Sequence, residues 1–289
     1  MITVTTLACH RDIEMVQLSL KSFVHNYKDD YRVHIYEDGS LSEADKEKLT
    51  AIPGVIIKDK KEVDALADEA LRSHPFCRQW RGQNAFTIKL FDMAVMEKTD
   101  YVYFDSDVFF IKPFIGLDRS KYDEEDLVLM SDRFDYYSVN YFERFIYPRM
   151  KFPDKINAGF YYVRNGAIDF DLFEWLFSKE EYFPRDKEPW RVSLADQTAW
   201  ALLGANSNAS IWKKSQVLIP ASMDEIKSDT VAVHLIKRLV EFESIYQKIE
   251  ELIYRSNSSI EILQTQKLTY SNPVSAALEK LKFKLTENK

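Results

Sequence analysis

The apolar positions of the first hundred residues fall into runs that switch between two periods. Residues 2 to 8 form a continuous strand-like run, after which Ile13, Val16, Leu20 and Val24 recur at helical spacing behind Asp12 as N-cap. The segment 31 to 36 alternates as a second strand and ends in the turn signal Glu37-Asp38-Gly39-Ser40. Ser42 with Asp45 has the spacing of a capping box, and Pro53-Gly54 closes that helix before a short strand at 55 to 57. The order β-α-β-α-β predicts an open, mostly parallel sheet with helices on its faces.

Residues 61 to 72 read as a charged helix. The basic, aromatic stretch 77 to 82 is compatible with an anion site or with a solvated loop. A helix over 84 to 96, with Phe86, Leu90 and Met93 inward, leads into the run 101 to 111. Further strands are predicted at 127 to 130, 157 to 163 and 231 to 236, and amphipathic helices at 239 to 255 and 274 to 285. Aromatic residues crowd the stretch 134 to 147, which suits stacking on sugar faces or ordinary packing. Neither a repeat nor a low-complexity segment interrupts the chain.

Within 101 to 111 two acids, Asp105 and Asp107, stand one residue apart among β-prone and aromatic neighbours. In extended chain the side chains of i and i+2 leave the same face, so these carboxylates would converge. Like charges that close are costly in apolar surroundings, and a divalent cation bound by oxygen ligands removes the cost. The competing reading is an Asx-type turn with both acids in water. Three other positions carry similar alternatives. Gly159, after Asn157, allows close approach of a ligand or relieves a bend. Asp196, before Gln197, is a capping-box partner of Ser193 or a chemical group. His234 ends an apolar strand, as a core histidine or as a ligand.

Composition narrows the field. With 289 residues, 46% hydrophobic and 29% charged, the chain reads as an ordinary globular protein able to bury a large core. No apolar run reaches the roughly 18 residues of a membrane-spanning helix, and the first residues lack a leader pattern, so a cytoplasmic location is the expectation. Two cysteines offer neither a disulfide framework nor a zinc cluster, and the sequons at Asn208 and Asn257 carry no weight in that setting. A net charge of −7 speaks against nucleic acid as partner. Seven glycines form neither a dinucleotide fingerprint nor a phosphate-binding Walker loop, and the zincin and serine-hydrolase motifs are missing too.

Taken in order, D-x-D after a hydrophobic strand, N-A-G at 157 to 159, D-Q at 196 to 197 and the strand-end His234 resemble the GT-A glycosyltransferases. The likeness is greatest to the retaining family typified by glycogenin and bacterial lipopolysaccharide galactosyltransferases. It runs from Val4 to His234, and Ser19 to Ser22 and Asp38 to Ala44 look like that family's first crossover. The resemblance implies a Rossmann-like GT-A domain over residues 1–236, with a helical extension over 237–289 packed on or beside it. Asp105, Asp107 and His234 would be metal ligands, for Mn²⁺ with Mg²⁺ as the alternative. Asn157, Asp196 and Gln197 would lie by the transferred sugar, Lys89 would face the donor, and Cys9 and His10 would meet the nucleotide base.

The implied activity is transfer of a hexose from a nucleotide diphosphate sugar, UDP-sugar favoured, to a glycan acceptor of a bacterial surface polymer, lipid-linked or free. Retention of configuration through Gln197 or Asp196 is the expectation. Inversion with Asp196 as base, or a non-catalytic sugar-binding protein, are the alternatives. Three departures mark a divergent branch. Cys9 and His10 stand where the family has an acid, Thr87 and Ile88 where it has an arginine, and the late H-x-x-G-x-x-K-P-W motif survives as His234 and Lys237 only. Lys237 or Arg238 would then supply the positive charge for pyrophosphate. Lys280, Lys282 and Lys284 suit either contact with the inner face of a membrane or a solvated helix face.

Overall fold

The structure is a computed structural model that describes residues 1–83, 85–119, 125–139, 152–179, 183, 192–236, 242–255 and 259–270. The expected alternation is present from the start: β1 (Ile2–Ala8), α1 (Ile13–Asn26), β2 (Tyr31–Glu37), α2 (Glu43–Thr50), β3 (Val55–Ile57), α3 (Lys60–Ala70), α4 (Pro75–Gln83), α5 (Ala85–Met96) and β4 (Tyr101–Phe104). There follow β5 (Val108–Phe110), β6 (Phe114–Ile115), β7 (Leu127–Ser131), β8 (Ile156–Val163), α6 (Phe170–Phe177), α7 (Ala195–Ala205), β9 (Ala209–Trp212), β10 (Val217–Leu218), β11 (Ala232–His234), α8 (Phe242–Ile253), β12 (Glu261–Ile262) and β13 (Thr265–Lys267).

Eight strands form the main sheet in the order β13-β9-β7-β8-β4-β1-β2-β3. The pairings β3–β2, β2–β1 and β1–β4 are parallel, and β8 is antiparallel to both β4 and β7. This is the open, mostly parallel α/β sheet that the sequence predicts. Alternation in β4 builds the core. Tyr101 and Tyr103 face one apolar layer with Phe91, Phe173 and Trp200 from α5, α6 and α7, while Val102 and Phe104 face another with Leu20 and Phe23 from α1.

A small second sheet, β10-β11-β5, leaves the end of β4 through the turn at Asp105-Ser106-Asp107. One edge of β5 pairs antiparallel with β11, placing His234 opposite Val108. Polar side chains of α1 hold the other edge. The Ser19 hydroxyl donates to Val108 O at 2.6 Å, Ser22 Oγ accepts from Phe110 N at 3.0 Å, and Asn26 Nδ2 donates to Phe110 O at 2.7 Å. All three are buried, so these bonds satisfy a strand edge that pairs with no other strand among the described residues.

Several local expectations change. The Ser42–Asp45 capping box forms, but Asp12 makes no capping bond and instead accepts from the Cys9 thiol and the Arg11 guanidinium. The stretch 77 to 82 is not a loop. It is helix α4, with Cys77 and Trp80 buried and Arg81 paired with Asp92 at 2.5 Å. Leu90 and Met93 are buried as expected, but Phe86 is 54% exposed. It lies on the side of α5 that faces a cavity rather than the core. Residues 261–267 carry two short strands, one of which, β13, pairs antiparallel with β9 at the sheet edge. Leu239, residues 274 to 285 and the aromatics from 140 to 147 lie outside the described residues.

Candidate functional site

The C-terminal ends of β4, β7 and β11 and the N-terminal end of β8 converge on one polar cluster. Asp105 follows β4, where the alternation that places Tyr103 on the α5 side puts Asp105 there too. Its carboxylate accepts from the Tyr103 hydroxyl at 2.5 Å and from Lys89 Nζ at 3.1 Å. Lys89 comes from α5 and is 3% exposed, with further bonds to Asp196 at 2.9 Å and Ala158 O at 3.2 Å. A buried ammonium without partners would cost several kcal/mol, so Asp105 and Asp196 account for its presence.

Asp107 lies across the turn, 3.0 Å from His234 Nε2, while Asp105 lies 3.9 Å from the same nitrogen. One ligand atom from each of these residues falls within 4.8 Å of the others, and among the described residues no other such group of three exists. The far side of the imidazole is fixed as well. Asn157 Oδ1 accepts from Gly159 N at 2.8 Å and sits 3.1 Å from His234 Nδ1, while its Nδ2 donates to Asp132 at 3.0 Å. The backbone N–H sets the amide orientation, so Nδ1 must be the protonated nitrogen and Nε2 is turned to the acids. Gly159 makes room for this: a β-carbon there would lie 2.4 Å from His234 Cε1.

The electrostatics are those of acids compensated by a few cations. Burial disfavours a charged Lys89, but Asp105 and Asp196 outweigh it and raise its pKa. Burial pushes the Asp105 carboxyl up, yet Lys89 and His234 bring it below the usual aspartate value. For Asp196 and Asp132 burial prevails and the pKa is raised. Burial opposes an imidazolium at His234, and the carboxylates of Asp107, Asp105 and Asp132 overcome it. Two carboxylates and an imidazole nitrogen oriented from behind form a donor set that fits a divalent cation such as Mn²⁺.

Two cavities meet at this cluster. One, of 490 Å³, is lined by Asn157, Asp196, Gln197 and His234 together with Asp132 and Tyr136. The other, of 720 Å³, is lined by Cys9, His10, Asp12, Asp38 and Ser40. Phe86, Lys89, Asp105 and Asp107 border both. His10 bonds Asp45 at 2.7 Å through Nδ1, which seats the imidazole on the capping box of α2. Gln197 donates through Nε2 to Tyr136 O at 2.8 Å. Asp196 is no helix cap: the N-cap of α7 is Leu194, and the carboxylate turns to Lys89. Of the sequence-predicted site residues, Lys237 lies outside the described residues, as does Arg238.

Some participants escape sequence reading. Asp132, Arg133, Phe134 and Tyr136 line the smaller cavity. The signal for Asp132 was present, since it follows the apolar strand β7 as Asp105 follows β4.

No protein-family model and no curated protein matches the chain. Solved structures do. Mouse xyloside xylosyltransferase 1 superimposes with a TM-score of 0.55 at 14% identity, over 83% of this chain and 98% of that one. The glycosyltransferase GlyE of Streptococcus pneumoniae matches with a TM-score of 0.51 at 12% identity, over 89% of this chain and 62% of its own. The bifunctional glycosyltransferase WbbM gives 0.50 at 13%, over 88% and 50%. The eight-stranded sheet, the carboxylate turn at the end of β4 and these likenesses together establish that the chain has the GT-A glycosyltransferase fold.

Proposed function

We propose that the protein is a metal-dependent glycosyltransferase that moves a hexose from a nucleotide diphosphate sugar, UDP-sugar favoured, to a hydroxyl group of a glycan. The observation that carries this reading is the convergence of Asp105, Asp107 and His234 where two cavities join. Those three residues would hold a divalent cation, Mn²⁺ being the ion best suited to mixed carboxylate and imidazole ligands. When bound, such a cation supplies Lewis-acid neutralisation of the charge that develops on a departing diphosphate.

The chain's own groups take the remaining roles. The 720 Å³ cavity beside Cys9 and His10 receives the nucleoside, and the 490 Å³ cavity receives the sugar and the acceptor hydroxyl. Asn157 holds the His234 ring by its Nδ1–H. Lys89, locked between Asp105 and Asp196, offsets part of the charge of the two acids before any ligand arrives. That ion pair makes Asp196 an electrostatic partner of the lysine; the retaining course stays the favoured reading, with inversion through Asp196 as base the alternative. The Gln197 amide, donating through Nε2, keeps its oxygen available on the sugar side. Phe86 and Tyr136, 54% and 42% exposed at the cavity rim, offer apolar faces for sugar rings, which supports a glycan acceptor.

The test is incubation with a panel of nucleotide sugars and Mn²⁺. Release of UDP from one of them, abolished by chelator, is the expected result, with the anomeric configuration of the product read by NMR. Metal-independent release, or none from any donor, contradicts the proposal.

A further inference from the structure

The two oxygens of the Asp105 carboxylate have different surroundings. Oδ1 accepts from the Tyr103 hydroxyl at 2.5 Å and from Lys89 Nζ at 3.1 Å. Oδ2 is the oxygen turned to His234, 3.9 Å from Nε2, and Lys89 Nζ is farther from it, at 3.4 Å. A carboxylate oxygen has about two lone-pair sites, so Tyr103 and Lys89 together fill those of Oδ1. Oδ2 keeps a site directed at the cluster of Asp107 and His234.

The Tyr103 hydroxyl is held in place by its ring. Tyr103 belongs to β4, two residues before Asp105, so alternation puts both side chains on the same side of the strand. The ring is buried and stacks on Tyr161 with centroids 4.8 Å apart, and Lys89 Nζ lies 5.3 Å from its centre. A packed ring of this kind has little freedom to swing its hydroxyl off the carboxylate.

We propose that Tyr103 is a positioning residue that sets which cation the site takes. By occupying Oδ1 it limits Asp105 to a single ligand oxygen, and the site then discriminates against Ca²⁺. That ion takes roughly six to eight oxygen ligands and commonly uses both oxygens of one carboxylate. One oxygen from Asp105 beside an imidazole suits a smaller transition ion such as Mn²⁺. This rests on the reading of Asp105, Asp107 and His234 as a cation site.

The experiment follows binding of Mn²⁺ to the full chain through the paramagnetic resonance signal of the free ion, with Ca²⁺ as competitor. Wild type is compared with Tyr103→Phe, which keeps the stacked ring and removes only the hydroxyl, and with Tyr161→Phe. Tyr161 is the matched control, because its buried hydroxyl donates to Lys89 O at 3.4 Å and not to Asp105. Wild type should bind Mn²⁺ at least ~10-fold more tightly than Ca²⁺. Tyr103→Phe should lower that ratio about 10-fold, while Tyr161→Phe keeps it. Looser folding by itself weakens both ions together and leaves the ratio unchanged. Equal affinity for the two ions in wild type overturns the proposal without any variant. An unchanged ratio in folded Tyr103→Phe, or an equal fall in Tyr161→Phe, overturns it as well. Binding of neither ion by wild type is the separate sign that the cation site itself has failed, and the role of Tyr103 falls with it.

Discussion

Gly159 gives up its side-chain space to the ring of His234. A β-carbon built on the glycine would lie 2.4 Å from Cε1, 2.5 Å from Nδ1 and 2.8 Å from Asn157 Oδ1, so no larger residue fits while the histidine stays put. The glycine is therefore part of the proposed cation site although it would ligate nothing. Gly159→Ala is expected to cost about 1–3 kcal/mol of stability through overpacking. It should lower Mn²⁺ affinity about 10–100-fold by displacing an oriented ligand. Calorimetric Mn²⁺ titration of the folded variant checks this; unchanged affinity would show that His234 has no part in holding the ion.

Asn157 acts on the same histidine through Nδ1. Asn157→Ala removes the acceptor at Nδ1 and also a donor to the buried Asp132 carboxylate. An affinity loss for Mn²⁺ of about 10–100-fold is expected, as for other groups that orient a metal-binding imidazole. The direct comparison is with Gln197→Ala, whose amide bonds Tyr136 O rather than the histidine. That variant should bind Mn²⁺ as wild type does.

Lys89 joins Asp105 to Asp196 inside the protein. Lys89→Met leaves the buried Asp196 and the half-buried Asp105 with no cation between them and should destabilise the fold by about 3–5 kcal/mol. Adding Asp196→Asn to it should recover part of the loss, because the two residues act as a pair. Urea unfolding of the single and double variants measures both; strictly additive losses would mean that the pair is not coupled.

Glu97 gives a pH dependence remote from the site. Burial raises its carboxyl, but hydrogen bonds from His34 at 2.7 Å and from the Tyr36 hydroxyl at 2.6 Å lower the pKa below the ordinary 4.5. A folded-state value below the unfolded one stabilises the protein fully above about pH 4.5, and the contribution fades as pH falls through the folded value. Urea midpoints of wild type and Glu97→Gln should therefore lie furthest apart near neutral pH and approach each other in acid. A gap that widens in acid would reverse the sign and refute the argument.

Much of the fold and part of the site could be read in advance, for a physical reason. Asp105 and Asp107 interrupt a run that is otherwise apolar, and such acids need a partner wherever the strand goes. His234 was legible only as a strand-end residue, since its nearness to Asp107 depends on β11 returning antiparallel to β5. Phe86 was misplaced because hydrophobicity does not distinguish a core face from a cavity wall. Helix α4 was missed because Arg78, Arg81 and Gly82 obscure the apolar spacing of Cys77 and Trp80. Ser19, Ser22 and Asn26 look like neutral helix positions, and their task appears only when β5 lies beside them. Strand β13, Thr265-Gln266-Lys267, has no apolar pattern at all; backbone pairing with β9 and the Thr265 hydroxyl bond to Glu125 hold it.

The central claim, that the carboxylate turn and His234 make a cation-dependent nucleotide site, is tested most directly by calorimetric titration of UDP in the presence of Mn²⁺, of Mg²⁺ and of chelator. Asp107→Ala and GDP serve as controls. The account predicts UDP binding that requires the cation, is strongest with Mn²⁺ and disappears in Asp107→Ala. UDP binding that persists unchanged in chelator, or binding of GDP in its place, would contradict it.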